Sequence, residues 1–512
     1  MFKRSSALAS VALVAVLSGM ASAAAAETLQ EALALAYRTN PTLLAQRANQ
    51  RALDESIPQA RAGLRPQIDV SATANYTRTD GPGTPGVDLN ADGDFNDLGE
   101  SGPSNGVTES DSGGASIGLS QTIYSGGRIG HAITAAEANV LGGRENLRSV
   151  EQGVLQSVIS AYVGVQRDME ILRIRQENLT VLRRQLDESN ARFEVGEITR
   201  TDVAQSESRL ATSEADLANA QAQLSVSRAA YAAVIGQAPT NLVTPPQLPG
   251  VPTDFDAALN VGLAENPAVR AAQYSLQAAE ARVAAARSEY LPSARLTASY
   301  GGSDDLSSFD LTRRTSFQAG ASISVPLFTG GLNQSRVAQA LETANAAQIN
   351  VEGERRSVLQ DVSSAYAQVI SSRATLTAGN EAVRAATVAA EGVRQEAQVG
   401  LRTTLDVLNQ ELELRAAQVQ LVSAVANEYI AQAQLLAAMG RLEGPNLDPS
   451  IEAYDPADNA AAVRNRGSLP WDGVFEAIDR VAAPPVVPAA DAPDAPIDSQ
   501  LKSEVIQTAP AS

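Results

Sequence analysis

Cysteine is absent from all 512 residues, and His131 is the sole histidine. The absence of cysteine excludes disulfides, thiolate nucleophiles, Cys-His pairs and cysteine metal sites; a sole histidine excludes multi-histidine metal sites within one chain. Lysine is confined to Lys3 and Lys502, so arginine carries the positive charge, and the formal net charge is still -19. A nucleic-acid surface needs a basic patch, which this balance does not supply. Past residue 26 no run reaches the 18 or so apolar residues of a spanning helix. If the mature chain crosses a bilayer, it does so as β-strands. Nothing here invites an enzyme, and no cofactor is expected.

What is present begins with an export signal. Lys3 and Arg4 precede the apolar run Ala7 to Leu17, and small residues then offer cleavage sites at Ala21/Ala23 or Ala24/Ala26. That order reads as a signal peptide over residues 1–26, and the apolar run is too short for an anchor.

The mature chain is duplicated. Asn40-Pro41 recurs as Asn266-Pro267, Ala60-Arg61 as Ala286-Arg287 and Pro66 as Pro292, at a spacing of about 226 residues. Farther on the spacing is about 204. It pairs Gly126-Gly127 with Gly330-Gly331, Ser160-Ala161-Tyr162 with Ser364-Ala365-Tyr366, Val195-Gly196 with Val399-Gly400, and Asp202-Val203 with Asp406-Val407. A longer loop within residues 79–113 of the first half accounts for the change. Two repeats result, 27–250 and 251–444. Each is expected to run helix, β-hairpin (66–124 and 292–328), long helix, turn (196–200 and 400–403), helix.

The first helix of each half is expected to be continuous, Thr28 to Leu64 and Phe255 to Tyr290, ending before a proline. Alternation follows: Ile68, Val70, Ala72, Ala74 and Tyr76 share one face, as do Ala115, Ile117, Leu119, polar Gln121 and Ile123. Their counterparts are Ala294, Leu296, Ala298 and Tyr300, then Phe317, Ala319, Ala321, Ile323 and Val325. Stretches of about ten residues match tilted transmembrane strands. Tyr76, Tyr300 and Phe317 at one end and Tyr124 and Phe328 at the other suggest two interfacial girdles. Four strands cannot close a barrel, and an open edge cannot face lipid, so two or more chains must share one.

The long helices, about 68 residues from Arg128 and from Leu332, would each extend about 100 Å. Val203, Leu210, Leu217, Leu224 and Tyr231 recur every seventh residue, with small residues three places later; Val407, Leu414, Leu421 and Leu435 repeat the pattern. Such seams let helices approach closely as coiled coils. Residues 445–512, rich in Pro, Ala and Asp, are expected to form a largely disordered tail, with Trp471 anchoring its early part. In the first loop Asp88, Asn90, Asp92 and Asp94 follow a calcium-loop spacing, although Gly99 holds the twelfth position and Glu100 comes one place late.

Two ordered sets of these motifs, Asn-Pro, Arg-Pro or Leu-Pro, Gly-Gly, Val-Gly and Asp-Val, resemble the TolC family of outer-membrane efflux proteins over about residues 28–442. The resemblance implies a mainly α chain of long coiled-coil helices plus four transmembrane strands. It implies a homotrimer in which a twelve-stranded β-barrel in outer-membrane lipid continues as an α-helical tunnel across the periplasm. Its partners would be a periplasmic adaptor (membrane fusion) protein and an inner-membrane pump of RND or ABC type, the cargo being small molecules or, in type I secretion, proteins. A non-conducting periplasmic coiled-coil protein is the rival reading, and it has no use for membrane-length hairpins.

The resemblance also assigns residues. Val195, Gly196, Val399 and Gly400 would form the tips that dock the adaptor, far from the membrane. Asp406 would line the gate as a ring of carboxylates that select cations and raise one another's pKa. Asn409 stands where the family usually has a second aspartate. Arg402 occupies the position of the closed-state latch, with Asp202 as acceptor beside Thr201, while Ala397 replaces a tyrosine of that network.

Overall fold

The computed structural model describes residues 27–489 apart from 84, 88, 90, 97, 100, 104, 105, 307–309 and 311–313. Residues 1–26, the expected signal peptide, and residues 490–512 lie outside the described residues.

In the first half α1 (Leu29–Thr39), α2 (Pro41–Asp54) and α3 (Ser56–Arg61) precede β1 (Gln67–Asp80) and β2 (Val107–Tyr124). The 67-residue α4 (Arg128–Glu194) and α5 (Arg200–Ile235) complete it. The second half repeats the plan with α6 (Phe255–Glu265), α7 (Pro267–Ser288), β3 (Ser293–Asp304), β4 (Thr315–Ser324), α8 (Leu332–Gln398) and α9 (Thr404–Ala438). Both long helices are about 100 Å rods.

The first helix of each half is not continuous, contrary to expectation. Asn40 (φ -62°, ψ 122°) and Asn266 (φ -60°, ψ 127°) are extended, because a residue before proline is pushed out of the helical region. Each asparagine has two tasks. Its Oδ1 accepts from the new helix, Thr42 N at 2.9 Å and Ala268 N at 2.8 Å. Its Nδ2 donates to the last turn of another helix, Val234 O in α5 and Ala438 O in α9, both at 2.9 Å. The repeated Asn-Pro is therefore the joint at which short helices stack end to end.

Four columns result: α2 and α3 above α5, then α4, then α7 above α9, then α8. The heptad seams pack as the spacing predicts, with Val203, Leu224, Tyr231, Val407, Leu414 and Leu435 all buried. Small seam residues pair across the columns, as in Asn178 Nδ2 to Ser213 Oγ at 3.1 Å.

The main core lies midway along the columns, around Tyr162, Tyr231, Leu33 and Leu155. Tyr162 Oη sits 2.8 Å from Glu27 O and 2.7 Å from Val243 O, and Tyr366 Oη donates to Thr253 O at 2.8 Å. This shared task of holding an irregular connection explains the duplicated Ser-Ala-Tyr. The buried Glu27 carboxylate accepts from Tyr231 Oη, Gln237 Nε2 and Thr240 N and Oγ1. Burial pushes that carboxyl up, but these hydrogen bonds outweigh it and leave it below 4.5.

Residues 444–489 correct the expectation of a largely disordered tail. They fold as α10 (Gly444–Leu447), α11 (Pro456–Arg464) and α12 (Asp472–Asp479) along the first column. The segment is too poor in apolar residues for a core of its own; Leu447 and Ile451 join the main core, and polar contacts attach the rest to the helices. Asn459 Nδ2 donates to Asp54 Oδ2 at 2.7 Å, Arg65 Nε to Asp472 Oδ2 at 2.9 Å, and the Arg47 guanidinium lies 4.4 Å from the Tyr37 ring and 4.8 Å from that of Tyr454. Trp471 is not a buried anchor, being 48% exposed.

Candidate functional site

The four strands form one antiparallel meander, β1-β2-β3-β4, with β1 and β4 as edges. Pairing aligns residues into rows across the sheet. Val70, Ile117, Tyr300 and Phe317 form one row, and Ile68, Leu119, Ala298 and Ala319 the next. On the opposite face the rows are Ser71, Ser116, Gly301, Ser316 and Asp69, Gly118, Ser299, Gln318. One face is apolar and the other polar, yet β1 and β4 are exposed along their whole length. A soluble sheet buries its apolar face, so this one is built for a solvent that is itself apolar.

Two details lay beyond the alternation. β1 and β2 run to 14 and 18 residues, so the first hairpin projects past a membrane-length strand. Strict alternation would leave Tyr124 on the polar face, but an irregularity between Thr122 and Tyr124 sets it opposite Ala294, in the apolar row with Ile323.

At the other end of the rods the tips are near copies. Gly196 N donates to Phe193 O and Glu197 N to Arg192 O, both at 2.9 Å; Gly400 N and Leu401 N bond Ala397 O and Glu396 O at 3.1 and 2.9 Å. This paired closure needs a left-handed residue, and both glycines have φ of 78°, where a side chain would be strained. Val195, Val399 and Leu401 stand 78%, 71% and 75% exposed around these turns.

The duplicated aspartates close capping boxes. Thr199 N and Oγ1 donate to Asp202 Oδ2 at 2.9 and 2.8 Å, and Thr403 N and Oγ1 to Asp406 Oδ2 at 3.1 and 2.8 Å. Return bonds run from Asp202 N and Asp406 N to the threonine hydroxyls. The Thr199 hydroxyl, then its backbone, holds the Asp202 carboxyl below its usual range; for Asp406 the Thr403 backbone leads and the hydroxyl follows. Within one protomer the Asp406 shift is thus downward, opposite to the rise expected of a crowded ring.

The expected latch is not assembled within the protomer. Arg402 Nε donates to Glu396 Oε2 at 2.8 Å, one turn back on its own hairpin, while Asp202 serves its cap and Thr201 is exposed. A different bond joins the two helix pairs: Arg209 Nη2 of α5 donates to Asn409 Oδ1 of α9 at 3.0 Å. Beside it the buried Glu411 pairs with Arg394 of α8 and lies 3.6 Å from Arg415, which is 3.7 Å from Glu177 of α4. The i, i+4 pair Glu411/Arg415 was the available sequence signal for this cluster. Its reach to α4 and α8 needs the tertiary fold.

Of the calcium-loop residues, Asp88 and Asn90 lie outside the described residues. Asp92 Oδ1 accepts from Asp94 N at 3.0 Å, and Asp94 Oδ1 from Asn96 N at 3.2 Å, bonds that shape a turn. Among the described residues no group of three or more His, Cys, Asp or Glu is placed to hold a metal, and no helix is long and apolar enough to cross a membrane.

Comparison with known proteins agrees with this geometry. Residues 29–237 and 258–441 match the family model described as outer membrane efflux protein. The outer membrane efflux protein BepC of Brucella suis is 33% identical over 452 residues, 88% of this chain and 93% of that one. The outer membrane protein TolC of Escherichia coli is 28% identical over 84% of this chain and 86% of its own length. The CmeC outer membrane channel of Campylobacter jejuni shares the fold, with a TM-score of 0.67 at 15% identity over 85% of this chain and 88% of that one.

Proposed function

The chain belongs to the outer membrane efflux protein family, and from that premise we propose that three copies build one gated export duct. The observation that carries the reading is the uncovered sheet with one apolar face, one polar face and two unpaired edges. Unpaired backbone groups in hydrocarbon cost several kcal/mol each, so β1 of one copy pairs with β4 of the next until the ring closes. Three sheets of four strands give a twelve-stranded barrel, apolar towards lipid and polar towards the lumen. The columns continue it as a tunnel into the periplasm.

Closure of the ring sets the α5 column of each copy beside α8 of its neighbour. Any Arg402–Asp202 latch then acts between copies, and Arg209–Asn409 acts within each copy. Three Asp406 residues, held ionised by their caps, form a cation-selective ring at the tip, with Asn409 beside it on α9. The exposed apolar tips at Val195, Gly196, Val399 and Gly400 dock a periplasmic adaptor, which couples the duct to an inner-membrane pump of RND or ABC type. That pump chooses the cargo, small molecules or proteins. The purified protein is expected to migrate as a heat-modifiable oligomer and to give discrete conductance steps in planar bilayers. A monomer without conductance overturns the reading.

A further inference from the structure

The tail helix α12 has its amphipathicity inside out. Its charged residues face the protein. Asp472 accepts from Arg65 Nε at 2.9 Å, Glu476 lies 3.9 Å from Arg61, and the fully buried Asp479 accepts from Ser125 N at 2.5 Å, Ser125 Oγ at 2.8 Å and Gly130 N at 3.3 Å. The outward face is apolar: Trp471, Val474, Ile478 and the following Val481 are 48%, 59%, 38% and 64% exposed. In water that arrangement leaves the wrong side out.

Its position identifies the missing solvent. Tyr124 Oη, at the helical end of β2, donates to Val481 O at 2.8 Å, and Tyr124 belongs to the apolar row with Ala294 and Ile323. The exposed face of α12 thus continues the apolar surface of the sheet downward, at the level where barrel gives way to tunnel. A helix with a polar face, an apolar face and a tryptophan at that level has the chemistry of an interfacial segment.

We propose that α12 and the residues up to Val481 rest in the periplasmic leaflet of the outer membrane, with Trp471, Val474, Ile478 and Val481 among the lipid headgroups and upper acyl chains. This rests on the barrel reading above. The anchor is unequal between the repeats: at the start of α4 Gly130 N donates to Asp479 of the tail, whereas at the start of α8 Asn333 N donates at 3.5 Å to the local Thr329 Oγ1. The tail therefore fixes one long helix of each copy to the membrane surface.

Trp471 is the only tryptophan in the chain, so it reports its own surroundings. Full-length protein is reconstituted into phosphatidylcholine vesicles with bromine or nitroxide quenchers at defined depths, and conductance is measured on the same preparation. Shallow quenchers are expected to remove most of the Trp471 emission and deep ones much less. In Trp471→Phe/Val474→Trp the new tryptophan is expected to behave alike, which guards against a local effect of one site. Emission unquenched at every depth overturns the proposal, whether it is red-shifted as in water or blue-shifted as at a contact between copies. If such a preparation still conducts, the placement of α12 has failed and the channel reading has not.

Discussion

Replacing Arg209 by alanine removes the hydrogen bond that crosses from α5 to Asn409 of α9, 3.0 Å long between a half-buried donor and an exposed acceptor. A charged donor on a buried amide is worth about 1.5–3 kcal/mol, and solvent on the Asn409 side reduces that to about 0.5–1 kcal/mol. One link of that size holds nothing, but a trimer has three acting on one gate. Together they favour the closed arrangement by about 1.5–3 kcal/mol, so their loss raises the open-to-closed ratio roughly 10- to 150-fold. Single-channel recording in planar bilayers reads that ratio directly. Asn409→Ala is expected to have the same effect, and the double variant no more than either alone. Asn409→Asp gives Arg209 a full counter-charge and is expected to close the channel further. If Arg209→Ala gates like the unmodified protein, or if Asn409→Asp opens it, the cross-pair bond does not hold the gate.

Asp406→Ala is expected to move the reversal potential in a salt gradient towards zero, and an unchanged potential refutes the acidic ring. Arg402→Ser and Asp202→Ala are each expected to raise open-state conductance if they meet between copies; unaltered conductance in both removes that latch. Glu27, whose folded carboxyl lies below 4.5, stabilises the core above that pH and loses its contribution as the pH falls through the folded value. Glu27→Gln should therefore be less thermostable at neutral pH, with the difference narrowing below about pH 4.5, and a pH-independent difference contradicts the assignment. Asn40→Ala removes a cap and strands Val234 O, for an expected loss of about 1–2 kcal/mol in thermal unfolding; a loss under a few tenths contradicts the joint.

Periodicity and duplication made most of the architecture legible. Heptads predicted the buried seams, and the two repeat offsets, about 226 residues before the hairpins and about 204 after them, predicted two hairpins feeding two long helices. Alternation predicted the apolar rows, but the Tyr124 irregularity escaped it because a displaced residue leaves no mark in a two-residue period. Asn-Pro was visible as a repeat, yet its function was not, since the Val234 and Ala438 carbonyls that it staples lie more than 170 residues away in sequence. The order of the tail was hidden for a related reason: Leu447 and Ile451 enter a core made by helices far upstream, and Asp472 and Asp479 reach Arg65 and the backbone at the start of α4. At the tip the duplicated Val-Gly and Asp-Val were legible as local motifs. Which arginine meets which acceptor depends on neighbouring columns, and the nearby cross-pair bond fell to Arg209 rather than Arg402.

The central claim is that one chain supplies a third of a barrel. Native mass spectrometry of the protein released from lipid-like micelles tests it most directly, because strand pairing across β1 and β4 survives detergent removal only if the ring is closed. The account predicts one dominant species of three chains that gives conductance when returned to a bilayer. A conducting species of one or two chains contradicts it.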